Sequence, residues 1–182
     1  QIQRACLIKK NNQNVKVIVS GCLPQLLKDN MPKQYPLIDG YVGTGDFDKV
    51  VKLIKKNIFF AAVDHAGGMN NSKKRILSSS IPSTYIKIAE GCNHKCSYCI
   101  IPRLRGRYQS RTLQSVIDEA KALADLGIKE INLIAQDTTN YGTDIYGKPS
   151  LDKLLKELAK IKNFKWIRLL YAYPSTLTRC LA

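Results

Sequence analysis

The sequence predicts an α/β chain in two parts: the tail of a small α/β domain, then the opening strands of a parallel β/α barrel that stays incomplete. Three observations predict it. Apolar, β-branched runs alternate with amphipathic helical patterns on both sides of residue 70. A stretch rich in Gly, Asn and Ser, residues 66–83, carries little apolar periodicity and reads as a linker between the parts. Beyond it, strands and helices alternate with short connections, which build a parallel sheet through right-handed crossovers. Three strands and two helices are too few to close a barrel. The expected boundaries are 1–65 for the first domain, 66–83 for the linker and 84–182 for the truncated barrel.

The segment around Cys6 has helical character, and Cys6 reads as a buried structural thiol, because a free cysteine behaves as a small hydrophobe. Val15 to Ser20 (VKVIVS) reads as a buried strand that enters Gly21-Cys22. Asp39 to Val42 is a second short strand, ending at Gly43-Thr44-Gly45. Asp46 then stands as the cap of a helix whose Phe47, Val50, Val51 and Ile54 form one apolar stripe. The apolar run from Ile58 to Val63 is far too short to cross a bilayer.

After the linker, Tyr85 to Glu90 is the first barrel strand. Thr112 caps a helix lined by Val116, Ile117, Ala120, Leu123 and Ala124, and Gly127 stops it. Glu130 to Ala135 (EINLIA) is the second strand. Ser150 caps a helix that turns Leu151, Leu154, Leu155, Leu158 and Ile161 inward, and Trp166 to Tyr171 (WIRLLY) is the third strand. Cys180 has no evident partner and reads as a structural thiol like Cys6. Functional groups of β/α barrels gather at the C-terminal ends of strands. The loop after Glu90, the Gln136-Asp137 pair and the Tyr171–Pro174 turn are therefore expected at one mouth. On that placement Gln136 and Arg168 are candidate cofactor contacts; Arg168 lies inside its strand, and the other reading of it is an outward or sheet-end charge.

The loop leaving the first barrel strand carries the chemistry. Cys92, Cys96 and Cys99 are spaced C-x3-C-x2-C within Glu90-Gly91-Cys92-Asn93-His94-Lys95-Cys96-Ser97-Tyr98-Cys99. Iron–sulfur clusters are usually held by four cysteines. A cubane held by three leaves one iron open to a small molecule. A structural zinc site would need a further Cys or His pair at a distance, and none follows; His94 sits too close to its neighbours and reads as an exposed loop residue. Three clustered thiols cannot pair among themselves, and the chain lacks the character of a small disulfide-built domain. A non-catalytic zinc or RNA-binding module stays open as the alternative.

Lysine and arginine total 29 against 14 acidic residues, a net charge of +15. Such an excess favours contact with phosphates of nucleic acid. Lysines such as Lys52, Lys55 and Lys56 fit a solvated helix face. The denser run Arg103-Leu104-Arg105-Gly106-Arg107, with Arg111 behind it, suits recognition of a phosphate or acidic substrate. No apolar run is long enough for a membrane helix, and six cysteines, three of them clustered, fit a reducing cytoplasm. The first residue is Gln1, so the natural start is expected upstream.

Several segments together resemble the radical S-adenosylmethionine methylthiotransferase family. They are Ile88-Ala89-Glu90-Gly91-Cys92-Asn93-His94, Cys99-Ile100-Ile101-Pro102, Leu104-Arg105-Gly106 and Ser110-Arg111, with Val19-Ser20-Gly21-Cys22-Leu23-Pro24-Gln25 upstream. Gln136-Asp137-Thr138-Thr139-Asn140-Tyr141-Gly142 and Trp166 to Pro174 are most similar to the RimO-like branch, which modifies an aspartate of a small-subunit ribosomal protein; the tRNA-modifying branch usually carries Asn where Asp137 stands. The resemblance implies a first part that is the end of the family's N-terminal domain and a second that begins its radical S-adenosylmethionine barrel. It implies two [4Fe-4S] clusters, one on Cys92, Cys96 and Cys99, the other with Cys22 as the one ligand present here. It also implies S-adenosylmethionine as cofactor, with Tyr98 against its adenine, an electron donor, and the small ribosomal subunit as partner with ribosomal RNA nearby. The alternative activity is that of a tRNA adenosine methylthiotransferase.

Overall fold

The structure is a computed structural model that describes residues 1–46, 49–56, 60–63, 77 and 82–176. It forms two compact units, Gln1–Gly68 with His94–Gly106, and Met69–Asn93 with Arg107–Ala182. The predicted linker lies mostly outside the described residues, and Ser83 at its end already belongs to a strand.

In the first unit, α1 (Ile2–Asn11), β1 (Ile18–Ser20), α2 (Cys22–Leu27), α3 (Met31–Gln34), β2 (Gly40–Val42), α4 (Val50–Lys56) and β3 (Phe60–Ala62) follow in order. The later segment His94–Gly106 adds the short helix α5 (Ile101–Arg105). The three strands form a parallel sheet, β1-β2-β3, with Ile18 opposite Gly40 and Gly40 opposite Phe60. Parallel pairing follows from the helical crossovers between strands. Cys6, Val17, Met31, Ile38 and Tyr41 make its main core, so Cys6 is indeed a buried free thiol. Lys9 ties the end of α1 to the approach to β2, donating to the Leu37 carbonyl at 3.0 Å and to Asp39 Oδ1 at 2.6 Å.

This unit departs from several expectations. The strand expected over 15–20 is confined to Ile18–Ser20. The Val15 amide turns back to Asn12 O at 3.0 Å, and the Val17 amide donates to the Asp39 carboxylate at 2.7 Å, so neither enters the ladder. Helix α4 begins at Val50, four residues beyond Asp46, whose carboxylate lies 2.7 Å from the Lys49 ammonium. Phe47 lies outside the described residues. Val50 packs on the buried Val42, while Val51 and Ile54 are 58% and 54% exposed. Of the predicted stripe, Val50 alone among the described residues meets the sheet, half-buried against Val42, and Val51 and Ile54 stay in solvent. The run from Ile58 to Val63 contains a strand, β3, that sequence reasoning missed.

In the second unit, β4 (Ser83–Lys87), β5 (Ala89–Glu90), β6 (Gln109–Ser110), α6 (Leu113–Asp125), β7 (Glu130–Ile134), α7 (Thr143–Tyr146), α8 (Leu151–Ala159) and β8 (Trp166–Leu169) follow in order. Its main sheet is parallel, as predicted, in the order β4-β7-β8, with Ser83 opposite Glu130 and Glu130 opposite Trp166. Period-2 alternation sends Ile86, Ile131 and Leu133 into a core with Val116, Ala120 and Leu123 of α6 and Leu151, Leu154 and Leu158 of α8. Tyr85, Trp166 and Arg168 are exposed on the other face.

The predicted strand over 85–90 divides at Ile88. β4 stays with the parallel sheet, and β5 turns away to pair antiparallel with β6. Thr112 caps α6 as expected, its Oγ1 accepting from Ser115 N at 3.3 Å. Gly127 follows with φ +88°, a conformation that costs glycine nothing and stops the helix. Ser150 is the residue before α8, but its hydroxyl donates to Lys148 O at 3.1 Å and makes no capping bond.

Candidate functional site

The cysteine loop leaves β5 without regular structure, apart from a turn in which Cys99 N donates to Cys96 O at 3.0 Å. Cys92 is buried, Cys96 and Cys99 are half-buried, and all three are reduced thiols. Cys92 belongs to the second unit and Cys96 and Cys99 to the first. Among the described residues no three His, Cys, Asp or Glu side chains are gathered as a metal centre. The donor set itself fits an iron–sulfur cluster: three thiols, close in sequence, on backbone that no helix or strand restrains. In such sites metal binding supplies the free energy of ordering. Tyr98 is 90% exposed, with its ring presented to solvent.

In the first unit the loops at the C-terminal ends of the three strands converge on Gln25 of α2. Its Nε2 donates to Val63 O at 3.2 Å, beyond β3, and its Oε1 accepts from Thr44 N at 3.2 Å, beyond β2. A Cβ at Gly43 would lie 1.9 Å from Gln25 Oε1, so a side chain there would have to displace the Gln25 amide from this bridge. Cys22, half-buried, stands at the start of α2, beyond β1. The segment after the cysteines returns to this edge as α5. Thr44 Oγ1 donates to Leu104 O at 2.6 Å, and Arg105 Nη2 lies 3.4 Å from Cys22 Sγ, within hydrogen-bond reach of sulfur. Sequence reasoning did not find this contact, which joins residues 83 positions apart.

In the second unit the exits of β7 and β8 meet, Thr138 N donating to Tyr171 O at 3.1 Å, which bears out their expected proximity. Asp137 is 2% exposed, and its Oδ1 accepts from Thr139 N at 3.0 Å and from Thr139 Oγ1 at 2.5 Å. Tyr108 OH donates to the Asp137 carbonyl at 2.7 Å. Burial first, and the Asp137 charge second, push the Tyr108 phenol well above its usual range, so it stays a donor. Two buried polar atoms at this exit, Gln136 Oε1 and Thr138 Oγ1, have no hydrogen-bond partner among the described residues. A polar atom left so costs about 1–3 kcal/mol unless a ligand or water satisfies it.

Arg168 is not at that exit. Its register partner is Asn132, and its guanidinium reaches Glu130 Oε2 at 3.2 Å, at the first residue of β7, while stacking over Trp166 at 5.2 Å. A hydrogen bond from Ser83, then those of Arg168 and Asn132, outweigh desolvation and keep the Glu130 carboxyl below its ordinary value. Of the two candidates, Gln136 therefore stands at the strand exit and Arg168 does not.

The basic run also sorts itself. Arg111, expected to seek phosphate, is 3% exposed and pairs with Glu119 of α6. It donates as well to Lys87 O at 3.0 Å and Ser115 O at 3.0 Å, which closes it to any ligand. Arg103 and Arg107 are exposed. The predicted thiol Cys180 lies outside the described residues.

Comparison with known proteins follows this division. The family model described as the Radical SAM superfamily matches residues 86–180, from β4 onward. Over 96% of its length the chain is 57% identical to the ribosomal protein uS12 methylthiotransferase RimO of Endomicrobium trichonymphae, covering 40% of that protein. It is 44% identical over 98% of its length to the RimO of Elusimicrobium minutum (strain Pei191), covering 41% of it. The chain thus spans about two-fifths of the length of the curated relatives it matches. Among solved structures, the radical S-adenosylmethionine methyltransferase TsrM of Kitasatospora setae, with cobalamin and a [4Fe-4S] cluster bound, has the same fold at a TM-score of 0.63. That likeness covers 99% of this chain and 42% of TsrM at 17% identity. A match that extends over more than half of the chain and includes the loop of Cys92, Cys96 and Cys99 makes this chain a member of the radical SAM superfamily.

Proposed function

We propose that this chain is part of a methylthiotransferase that places a methylthio group on an aspartate of ribosomal protein uS12. The observation that carries the reading is the loop of three thiols, Cys92, Cys96 and Cys99, inside the radical SAM match of a chain 57% identical over nearly its whole length to a RimO. These three would hold one [4Fe-4S] cluster, and Cys22 would be one ligand of a second. Bound there, the cluster and S-adenosylmethionine supply one-electron cleavage of the cofactor and hence removal of hydrogen from a carbon that no side-chain base can deprotonate.

The chain's own residues have defined work in this reading. Glu90 and β5 deliver the cysteine loop, and β5 is held by its ladder to β6. Gln136 offers its buried, unpartnered Oε1 to a donor group of the cofactor. Tyr98 presents a ring for stacking, and Arg168 keeps the polar sheet face in order through Glu130. Domain limits of 1–65, 66–83 and 84–182 are part of the same proposal, as are an external electron donor, a cytoplasmic setting and contact with ribosomal RNA. Among the described residues no helix is long and apolar enough to cross a membrane.

The test uses anaerobically reconstituted full-length protein with small ribosomal subunits in one arm and tRNA in the other. Mass spectrometry should find a methylthio group on the uS12 peptide. A modified tRNA base with unmodified uS12 would establish the tRNA activity instead. Iron and acid-labile sulfide at background levels would point to the zinc or RNA-binding module.

A further inference from the structure

We infer that Arg105 is a positioning residue for the second cluster: its guanidinium donates to the Cys22 sulfur and raises that cluster's reduction potential. The inference rests on the reading that Cys22 ligates a cluster. Arg105 Nη2 lies 3.4 Å from Cys22 Sγ, and both residues belong to the first unit. The placement is built rather than incidental. One residue earlier, Leu104 is buried and its carbonyl accepts from Thr44 Oγ1 at 2.6 Å. One residue later, Gly106 N closes α5 on Pro102 O at 3.1 Å. Thr44 is itself fixed through Gln25, which bridges the ends of β2 and β3. The guanidinium is therefore held from its backbone against the edge where Cys22 leaves β1.

Hydrogen bonds to cluster sulfurs and nearby charge are among the protein's main means of setting cluster potential. A fixed cation beside a thiolate ligand favours the reduced state, which carries one more negative charge. Arg105 follows Cys96 and Cys99 on the same short segment, so one stretch of chain carries two ligands of the first cluster and the tuning group of the second.

The experiment uses full-length protein with Cys92→Ala, Cys96→Ala and Cys99→Ala, so that one cluster, on Cys22, remains. Its midpoint potential is read by electron paramagnetic resonance during dithionite titration. Arg105→Gln should lower the ratio of reduced to oxidised cluster at fixed potential about tenfold, a shift of about 59 mV for a one-electron couple. Arg105→Lys, which keeps the charge, should restore most of it. Loss of the cluster in the Gln variant with retention in the Lys variant would equally support a cation held on the sulfur. An unchanged potential in the Gln variant, or loss of the cluster in both, overturns the inference. Cys22→Ala in the same background separates the two claims: iron retained there shows that Cys22 is not a ligand, whatever Arg105 does.

Discussion

Glu119→Gln should be among the most damaging single changes in the second unit. The Arg111 guanidinium and the Glu119 carboxylate are nearly dry, with side-chain exposures of 3% and 7%. Every guanidinium nitrogen of Arg111 is engaged: Nη1 by Glu119 and Lys87 O, Nη2 by Ser115 O and Oγ, and Nε by Ser115 Oγ at 3.3 Å. The backbone is held too, Arg111 N donating to Ile88 O at 2.8 Å and Tyr141 OH donating to Arg111 O at 2.8 Å. Removing one charge leaves the other buried and uncompensated, which costs about 3–5 kcal/mol. For a chain of this size each kcal/mol moves the midpoint about 2–4 °C, so Tm should fall by roughly 6–20 °C. The assay is thermal and urea unfolding followed by Trp166, the single tryptophan, which lies in the same unit. The double variant Arg111→Met with Glu119→Leu should recover most of the loss, because it removes both buried charges and refills the volume. A Glu119→Gln variant within about 1 kcal/mol of the parent would refute the reasoning, since exposed pairs behave that way.

Thr112→Ala should cost about 1 kcal/mol in the same unfolding assay, because it removes the cap on Ser115 N. Leu154→Ala, at a fully buried position between α8 and the sheet, should cost about 2–5 kcal/mol. Desolvation would raise the Asp39 carboxyl, but Lys9, the Val17 amide and Lys16 outweigh it and hold it below its ordinary value. Its contribution is therefore present above the usual carboxylate range and lost as pH falls through the lowered value, so the stability gap between parent and Asp39→Asn should close at acid pH; a gap that persists there would count against it. In full-length protein, Arg103→Ala with Arg107→Ala, both exposed, should weaken binding to ribosomal subunits and reduce its salt slope by about one to two.

What could be read from sequence was local or periodic. The cap at Thr112, the stop at Gly127 and the leucine stripe of α8 each lie within a few residues of their partners, and all stand in the structure. That the main sheet is parallel followed from the helical crossovers, and the cysteine loop stood out by its spacing alone. What could not be read depends on distant partners. Val17 leaves the ladder because a side chain 22 positions away takes its amide. Arg168 turns to Glu130 rather than to the strand exit because the register sets Trp166 beside Glu130. The spacing of Val50, Val51 and Ile54 marks one helix face, but spacing does not say which of them meet a neighbour, and of these three Val50 alone packs on the sheet.

The arginines show why charge counts alone misassign roles. Arg103, Arg105, Arg107 and Arg111 stand within one short run, and Leu104 between the first two is its buried anchor. An isolated cation is retained in a dry interior only with a fixed counter-charge and a full set of acceptors. Arg111 meets both conditions through Glu119, Lys87 and Ser115, so its cost is offset within the fold and it has nothing left to offer a phosphate. Arg105 instead faces a sulfur, a weak acceptor while it is a thiol and a strong one as a cluster's thiolate ligand. If Cys22 ligates a cluster as proposed, that contact strengthens when the cluster binds. Arg103 and Arg107, on either side of the buried Leu104, stay in solvent. A single basic motif thus divides into a structural clamp at Arg111, a guanidinium beside the Cys22 sulfur at Arg105 and two solvated charges at Arg103 and Arg107, and the division is set by the neighbours that each side chain meets within its own unit.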